Sequence, residues 1–352
     1  MAIKQIVCSG TPYEIGQIHG YHASTEISRA ITFYATMFAK HSKLTWAQVQ
    51  DLARDFDDLI KDKWPRYYEE LQGIADGAER DVIDIIALNV RTEIVFGQFS
   101  DGCTSLYYRD SASETGNAFL GQNWDWETAQ AQNLIQLTLI QKDTPVIKII
   151  TEAGLIGKIG LNSAGVGVCF NAIRAKGLDK THIPVHLGLR IALESRSALD
   201  AVETLEAIGM ASSAHMLIGD ENSAIGLEFT SSTFARIPVN ERGFIAHANH
   251  MLLPHAGIDE PAWLADSAVR VRTMGENIER LVGSGKVDWE NFGALFQDET
   301  GFPCSINRAT SEGSQIATLF NIVMDLGGRR AVVVLGRPSE ERVERVVLEF
   351  AG

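Results

Sequence analysis

Apolar residues change their rhythm once along this chain. From residue 11 to about 98 they recur every three or four positions, the spacing of a helix face. In the stretch TWAQVQDLARDFDDLIKDKW, Trp46, Val49, Leu52, Ala53, Phe56, Leu59 and Ile60 share one face. Helix starts are marked as well. Thr11-Pro12-Tyr13-Glu14 offers a capping box with proline at the first helical position, and Thr45 with Gln48 repeats the box. Asp81 is placed to cap a third helix through VIDIIALNVRTEIVF, and the acidic run DFDDLIKD reads as the solvated face of its own helix.

After about residue 100 short β runs take over. TSLYY, NAFLGQN, NLIQLTLI, PVIKIIT and VGVCFN are separated by Gly, Asn, Asp or Ser clusters, and LNSAG at 161–165 makes a turn between two strands. A helical pair is predicted near 184–208, split at Ser197. Further strands are predicted at HMLIG, AIGLEF, TFARIPV, GFIAHANH, TLFNIVMD and RAVVVLG, with helical patterns around 263–281 and 288–297. Strands in runs, interrupted by blocks of helix, predict an α+β sandwich rather than the regular alternation of a doubly wound sheet.

Composition narrows the chemistry. The chain has 352 residues, 45% hydrophobic and 22% charged, ample material for a buried core. Asp plus Glu number 45 against 31 Lys plus Arg, a net charge of -14 that argues against a nucleic-acid binder and reads as solubility. No window holds about 18 consecutive apolar residues. The opening MAIKQIVCSGTPYEIG lacks a basic and apolar leader pattern, and Glu349-Phe350-Ala351-Gly352 is no S-K-L tripeptide. With four widely spread cysteines, Cys8, Cys103, Cys169 and Cys304, the expectation is a cytoplasmic protein with free thiols and no membrane or nucleic-acid partner. There is no Walker A sequence, and GLIGKIG sits between strands rather than opening a helix. His247 and His250 form HxxH without a third ligand nearby, so no metal site is expected.

The junction between the two textures carries the most chemistry. It reads Ser100-Asp101-Gly102-Cys103-Thr104-Ser105. Cysteine is the strongest side-chain nucleophile near neutral pH, and a glycine before it leaves the preceding carbonyl open to close approach. An intramolecular N-to-S acyl shift needs both. The Cys103 thiol would attack the Gly102 carbonyl, and hydrolysis of the thioester would free a new N-terminus. The exposed α-amino group, with an ordinary pKa of about 7.7–8.0, would then serve as general base for its own thiol. Taken alone, the dipeptide reads more simply as a buried strand cysteine after a turn.

Beyond that dipeptide, the chain resembles the isopenicillin N acyltransferase family (the acyl-coenzyme A:6-aminopenicillanic acid acyltransferases) from end to end. The likeness rests on GTPYEIGQIHG, KWPRYYEELQGIADGAERDV, RTEIVFG, DGCTS, GQNWDW, ITEAGLIGKIGLNSAGVGV, LRIALES, GLEF, HANHMLLPH and ATLFNIVMD. The resemblance implies the N-terminal nucleophile hydrolase fold, an αββα sandwich, here with a helical N-terminal segment. It implies self-cleavage between Gly102 and Cys103, giving fragments 1–102 and 103–352 that stay together as a heterodimer and one globular unit. Cys103 is then the nucleophile and Asp125 the carboxylate that holds its amino group. Asn171 and Asn249 match amides that stabilise the tetrahedral oxyanion, and Arg308 matches a cation beside the thiol. The implied activity is exchange of the acyl side chain of isopenicillin N, or transfer from acyl-coenzyme A to 6-aminopenicillanic acid, to form penicillins. Its small-molecule partners are thus a β-lactam and acyl-coenzyme A. Acyl-coenzyme A is a co-substrate, and no bound cofactor or metal is implied.

Three departures bear on substrate and compartment. Penicillin-forming members carry Ser-Arg before Gly-Ala-Thr-Leu-Phe-Asn, where this chain has Ser314-Gln315-Ile316 before Ala317-Thr318-Leu319-Phe320-Asn321. A missing cation there would weaken capture of a carboxylate. Thr230, after GLEF, stands where the family has serine, so Thr230, Ser314 and Gln315 are the candidate substrate-binding positions. The missing peroxisomal tripeptide is the third departure. Two rival readings remain open: an amidohydrolase acting on another acyl-amide or peptide with no β-lactam role, and a catalytically silent paralogue.

Overall fold

The computed structural model describes residues 3–95, 102–110, 117–261 and 264–350. It opens with a strand that the spacing does not predict, β1 (Lys4–Ser9). It then runs through α1 (Pro12–His22), α2 (Ser24–His41), α3 (Trp46–Lys63), α4 (Pro65–Ala78), α5 (Val82–Asn89) and α6 (Arg91–Val95). Both capping boxes form: the Thr11 and Thr45 hydroxyls accept the NH of Glu14 and Gln48, whose side chains return to the cap NH. Asp81 caps α5 by accepting the Ile83 NH at 3.0 Å. The long helix expected from Asp81 is interrupted at Val90, whose NH closes on the Ile86 carbonyl before α6 starts at Arg91. The expected helical residues 96–98 lie outside the described residues.

Glycines bring two of these helices together. A Cβ added to Gly16 or Gly20 of α1, or to Gly73 or Gly77 of α4, would come within 2.0–2.3 Å of a carbonyl oxygen on the other helix. Only glycine permits that backbone-to-backbone packing.

The second texture gives β2 (Gly102–Arg109), β3 (Ala118–Glu127), β4 (Leu134–Ile140), β5 (Ile147–Glu152), β6 (Ile159–Asn162) and β7 (Gly167–Ala172). The helices α7 (Val185–Glu194) and α8 (Ala198–Ile208) come next, split as expected at Ser197, which caps α8. After them lie β8 (Ala214–Gly219), β9 (Ala224–Phe229), β10 (Phe234–Pro238) and β11 (Phe244–His247), then α9 (Ser267–Gly283) and α10 (Trp289–Ala294). The chain ends with β12 (Ile316–Asp325), β13 (Arg330–Leu335) and an unpredicted β14 (Glu344–Glu349).

These strands form an eight-stranded sheet, ordered β1-β4-β5-β6-β7-β8-β9-β10, and a six-stranded sheet, ordered β11-β2-β3-β12-β13-β14. Neighbours are antiparallel except β1, which runs parallel to β4 with Lys4 opposite Ile135. The sheets face each other across a core that holds Tyr107, Leu120 and Trp124 from one and Leu161, Cys169 and Leu217 from the other. The helices α7 and α8 cover the outer face of the eight-stranded sheet. On the other side, α9 and α10 cover the six-stranded sheet over a second cluster that includes Leu106, Phe119, Met274, Phe292 and Phe296. The layers are therefore αββα, in the predicted α+β class. The N-terminal helices pack onto the same main core, and β1 joins the same sheet as strands of the second texture. No helix among the described residues is long and apolar enough to cross a membrane.

Candidate active site

β2 begins at the glycine–cysteine junction, and strand alternation sorts its residues onto two faces. Cys103 and Tyr107 belong to the core between the sheets, whereas Leu106 and Tyr108 lie in the cluster beneath α9 and α10. Cys103 and Ser105 thus face into the sandwich, and Gly102 and Thr104 face α9. Cys103 is fully buried.

The Cys103 backbone is held on both sides. Its NH donates to Asn249 Oδ1 at 2.9 Å, and its carbonyl accepts from Arg270 Nη1 at 2.6 Å. Arg270 also donates to Thr104 Oγ1 at 2.9 Å and to Asn249 Oδ1 at 2.8 Å. Asn249 Nδ2 donates to the Ala172 carbonyl at 3.1 Å, which ties this corner to β7. Asn249 therefore meets Cys103 through its oxygen, and one of the two N–H groups of its NH2 is engaged by Ala172.

Asp125 on β3 lies directly opposite Gly102. Its Oδ1 accepts from Thr318 Oγ1 at 2.7 Å and its Oδ2 from Arg308 Nε at 3.2 Å. Arg308 also reaches Asp266 at the start of α9, and Arg270 Nε donates to the same carboxylate at 2.7 Å. Asp125, Arg308, Asp266 and Arg270 thus form one chain of alternating, balanced charge. Burial pushes the Asp125 carboxyl up to about 6, against the pull of Arg308, Arg270 and the Thr318 hydroxyl. Burial also pushes Asp266 upward, but Arg270 and Arg308 outweigh it and hold that carboxyl below the usual range. The two differ in hydration, since the Asp125 side chain is 0% exposed and that of Asp266 18%.

Inside the sandwich a polar layer crosses the apolar core. His247, Ser105 and Gln122 sit side by side on β11, β2 and β3; facing them, Asn171, His215 and Glu228 sit side by side on β7, β8 and β9. Ser105 Oγ donates to Asn171 Oδ1 at 2.7 Å, and His215 Nδ1 lies 3.0 Å from the same oxygen. The His247 ring stacks on His215 with centroids 3.5 Å apart, and its Nε2 lies 2.8 Å from Glu228 Oε1. Gln122 Oε1 accepts the Phe170 NH at 2.9 Å. Burial, reinforced by His247, holds His215 well below the usual imidazole range. Cys169, on the same face of β7 as Asn171, has its thiol pushed well up by burial and by the neighbouring Cys103. It is therefore a poor nucleophile.

The structure thus brings Cys103, Asp125, Asn249 and Arg308 together at the junction, with Asn171 joined to β2 through Ser105. It treats the three substrate positions differently. Thr230 closes the turn after β9, its Oγ1 accepting the NH of Ser232 and Thr233 at 3.1 and 3.0 Å. Ser314 pairs with Ser311 in the turn before β12, and the Gln315 carbonyl accepts the Thr128 NH at 2.9 Å. A cavity of ≈ 610 Å³ opens beside them, lined by Ala317, Thr318 and Leu319 on β12 and by Leu134 and Leu335, but by neither Ser314 nor Gln315. The HxxH residues turn to separate partners: His247 to Glu228, and His250 Nδ1 to Ser267 Oγ at 2.7 Å. Among the described residues no group of His, Cys, Asp and Glu is arranged to hold a metal ion.

Sequence reasoning missed Arg270, Asp266, Thr318, Ser105 and His215. Arg270 has a signal: it shares the buried side of α9 with Ser267, Met274 and Ile278. A charge on the apolar face of a helix needs a buried partner. The others have none that spacing reveals.

Comparison with known proteins places this geometry in context. The model of a protein family described as acyl-coenzyme A:6-aminopenicillanic acid acyl-transferase matches residues 112–340. The 40 kDa form of acyl-coenzyme A:6-aminopenicillanic-acid-acyltransferase from Emericella nidulans is 45% identical over 351 residues, spanning 98% of this chain and 96% of that protein. Among solved structures, the C2A mutant of conjugated bile acid hydrolase from Clostridium perfringens aligns over 69% of this chain and 92% of its own, at 13% identity and a TM-score of 0.49. Penicillin V acylase from Agrobacterium tumefaciens aligns over 69% of this chain and 86% of its own, at 11% identity and a TM-score of 0.39.

Proposed function

The chain belongs to the acyl-coenzyme A:6-aminopenicillanic acid acyltransferase family, and from that membership we propose that it is a self-processing cysteine acyltransferase. The observation that carries the reading is the setting of the Gly102–Cys103 peptide. The thiol lies on one face of β2, the Asp125–Arg308 pair lies opposite Gly102, and the peptide nitrogen is held by Asn249 at 2.9 Å.

In maturation, Cys103 Sγ attacks the Gly102 carbonyl carbon, the C–N bond breaks, and the nitrogen takes a proton to become the free amine. Water then hydrolyses the thioester, leaving a Gly102 carboxylate and a free thiol. Fragments 1–102 and 103–352 remain together as a heterodimer. In turnover, the freed α-amine takes the thiol proton. Asn249 Oδ1 and the Asp125 carboxylate hold that amine, and Arg308 keeps Asp125 in place. The thiolate attacks the thioester carbonyl of acyl-coenzyme A, or the side-chain amide of isopenicillin N, and expels coenzyme A or 6-aminopenicillanic acid. The 6-amino group of 6-aminopenicillanic acid then attacks the acyl-enzyme, giving a penicillin and restoring the thiol; water in its place gives hydrolysis. No cofactor is held permanently.

The test begins with the intact mass of freshly expressed protein under denaturing conditions. The 38.6 kDa chain is expected as fragments of about 11 and 27 kDa, in proportion to 102 and 250 of 352 residues, with Cys103 at the new N-terminus. Acyl-coenzyme A plus 6-aminopenicillanic acid should then yield a penicillin. A chain that stays whole and forms no product would be a silent paralogue. One observation favours the second reading, an amidohydrolase with no β-lactam role: Gln315 stands where a carboxylate-binding arginine is expected. Cleavage of acyl-amides without any penicillin product would establish it.

A further inference from the structure

We infer that Ser105 and His215 are positioning residues, which turn the Asn171 amide so that its NH2 faces the Cys103 acyl centre as the oxyanion donor. The inference rests on the thiol chemistry proposed above and adds what aims one of its groups.

The hydrogen bonds around Asn171 show its orientation. Asn171 is fully buried, and its Oδ1 is the partner of both the Ser105 hydroxyl, at 2.7 Å, and His215 Nδ1, at 3.0 Å. Its Nδ2 has no hydrogen-bond partner among the described residues. A buried amide NH2 without a partner is costly, and such groups mark places where a ligand completes the bonding.

Place agrees with orientation. Ser105 stands two residues from Cys103 on the same face of β2, and Asn171 faces it from β7. The other nearby amide, Asn249, has one of its two N–H groups engaged by the Ala172 carbonyl and its oxygen engaged by the Cys103 NH. Asn171 is thus the amide at the junction with neither N–H group partnered among the described residues. The rest of the polar layer holds the aim. The Nδ1–H tautomer of His215 is the one that donates to Asn171 Oδ1. Its plane is fixed by the His247 ring stacked on it, and His247 is itself gripped by Glu228 at 2.8 Å and by the Ala248 carbonyl at 2.9 Å.

The matured enzyme is compared with Ser105→Ala, Ser105→Thr, Asn171→Ala and the double variant, using acyl-coenzyme A and 6-aminopenicillanic acid. Asn171→Ala should lower kcat by about 10²-fold, the loss expected of one oxyanion donor. Ser105→Ala should lower kcat by roughly 10-fold at unchanged KM, as removing a group that orients a working side chain does, and Ser105→Thr should restore it. The double variant should be no slower than Asn171→Ala alone, because Ser105 acts only through that amide. Additive losses, or a Ser105→Ala enzyme of full kcat, would overturn the positioning role while leaving the cysteine mechanism intact. A wild-type protein that neither matures nor transfers an acyl group would remove both. If Ser105→Ala does not mature, His215→Phe is read the same way, since it keeps the stacked ring and lacks the donor.

Discussion

Gly102 and Asp125 face each other across β2 and β3, and a Cβ on Gly102 would stand 2.9 Å from Asp125 Oδ2 and 2.9 Å from Arg308 Nε. The glycine before the cysteine therefore does more than open its carbonyl to attack. It leaves room for an ion pair pressed against the peptide that is to break.

Gly102→Ala should fold but cleave slowly. The new methyl must displace the carboxylate or the guanidinium, and a misplacement of about 1 Å at a reacting centre costs about 10²-fold in rate. A time course of intact mass after expression reads this directly. Cleavage at the parent rate would show that the Asp125–Arg308 pair plays no part in maturation.

Cys103→Ala should abolish both cleavage and acyl transfer, with the protein remaining a single folded chain. Circular dichroism checks the fold and denaturing mass checks the chain. Activity surviving this change would remove Cys103 from the mechanism.

The pH dependence is set by Asp125. Its carboxyl is pushed up to about 6, so it loses its charge as the pH falls through that value. An amine held by the charged form should give turnover an acid limb near pH 6, and Asp125→Asn should remove that limb along with most of the rate. Stability runs the other way. A carboxyl raised from 3.8 to about 6 adds stability that is fully present below 3.8 and is lost as the pH rises to about 6. The melting temperature of Asp125→Asn relative to the parent should thus be higher at pH 7.5 than at pH 4.5, by thermal melts at matched ionic strength.

Arg270→Lys should destabilise the fold and block maturation. Lysine offers one compact charge where Arg270 serves Cys103, Thr104, Asn249 and Asp266 at once. Loss of hydrogen bonds from a charged donor typically costs about 1.5–3 kcal/mol. Urea unfolding in the uncleaved Cys103→Ala background measures it, and a change below about 1 kcal/mol would mean that water or Arg308 takes over.

Much of this architecture was legible because apolar spacing records burial. The helix face of α3, the two capping boxes and the runs of β texture all declare themselves within ten or twenty residues. β1 and β14 did not. Both are edge strands with only two buried positions, spaced among charged or exposed residues. The break at Val90 was hidden because apolar residues continue across it. At the junction, Cys103, Asp125, Asn249 and Arg308 were reachable through family likeness, whereas the polar layer was not. Ser105 and Asn171 are 66 residues apart and lie in different sheets. Only the stacking of one sheet on the other makes them neighbours, and no local pattern encodes it.

β1 comes from the first 102 residues, yet it is an integral strand of a sheet otherwise built from residues 103–352. Hydrolysis at the junction would turn one chain into two without turning one folding unit into two. An unfolded precursor finds its missing strand by closing a loop, a process indifferent to dilution. The cleaved molecule must find it by collision, so its recovery slows as the concentration falls. Maturation would therefore be a one-way commitment: the working life of the enzyme would be set by how slowly it first opens, and no longer by an equilibrium to which it can return.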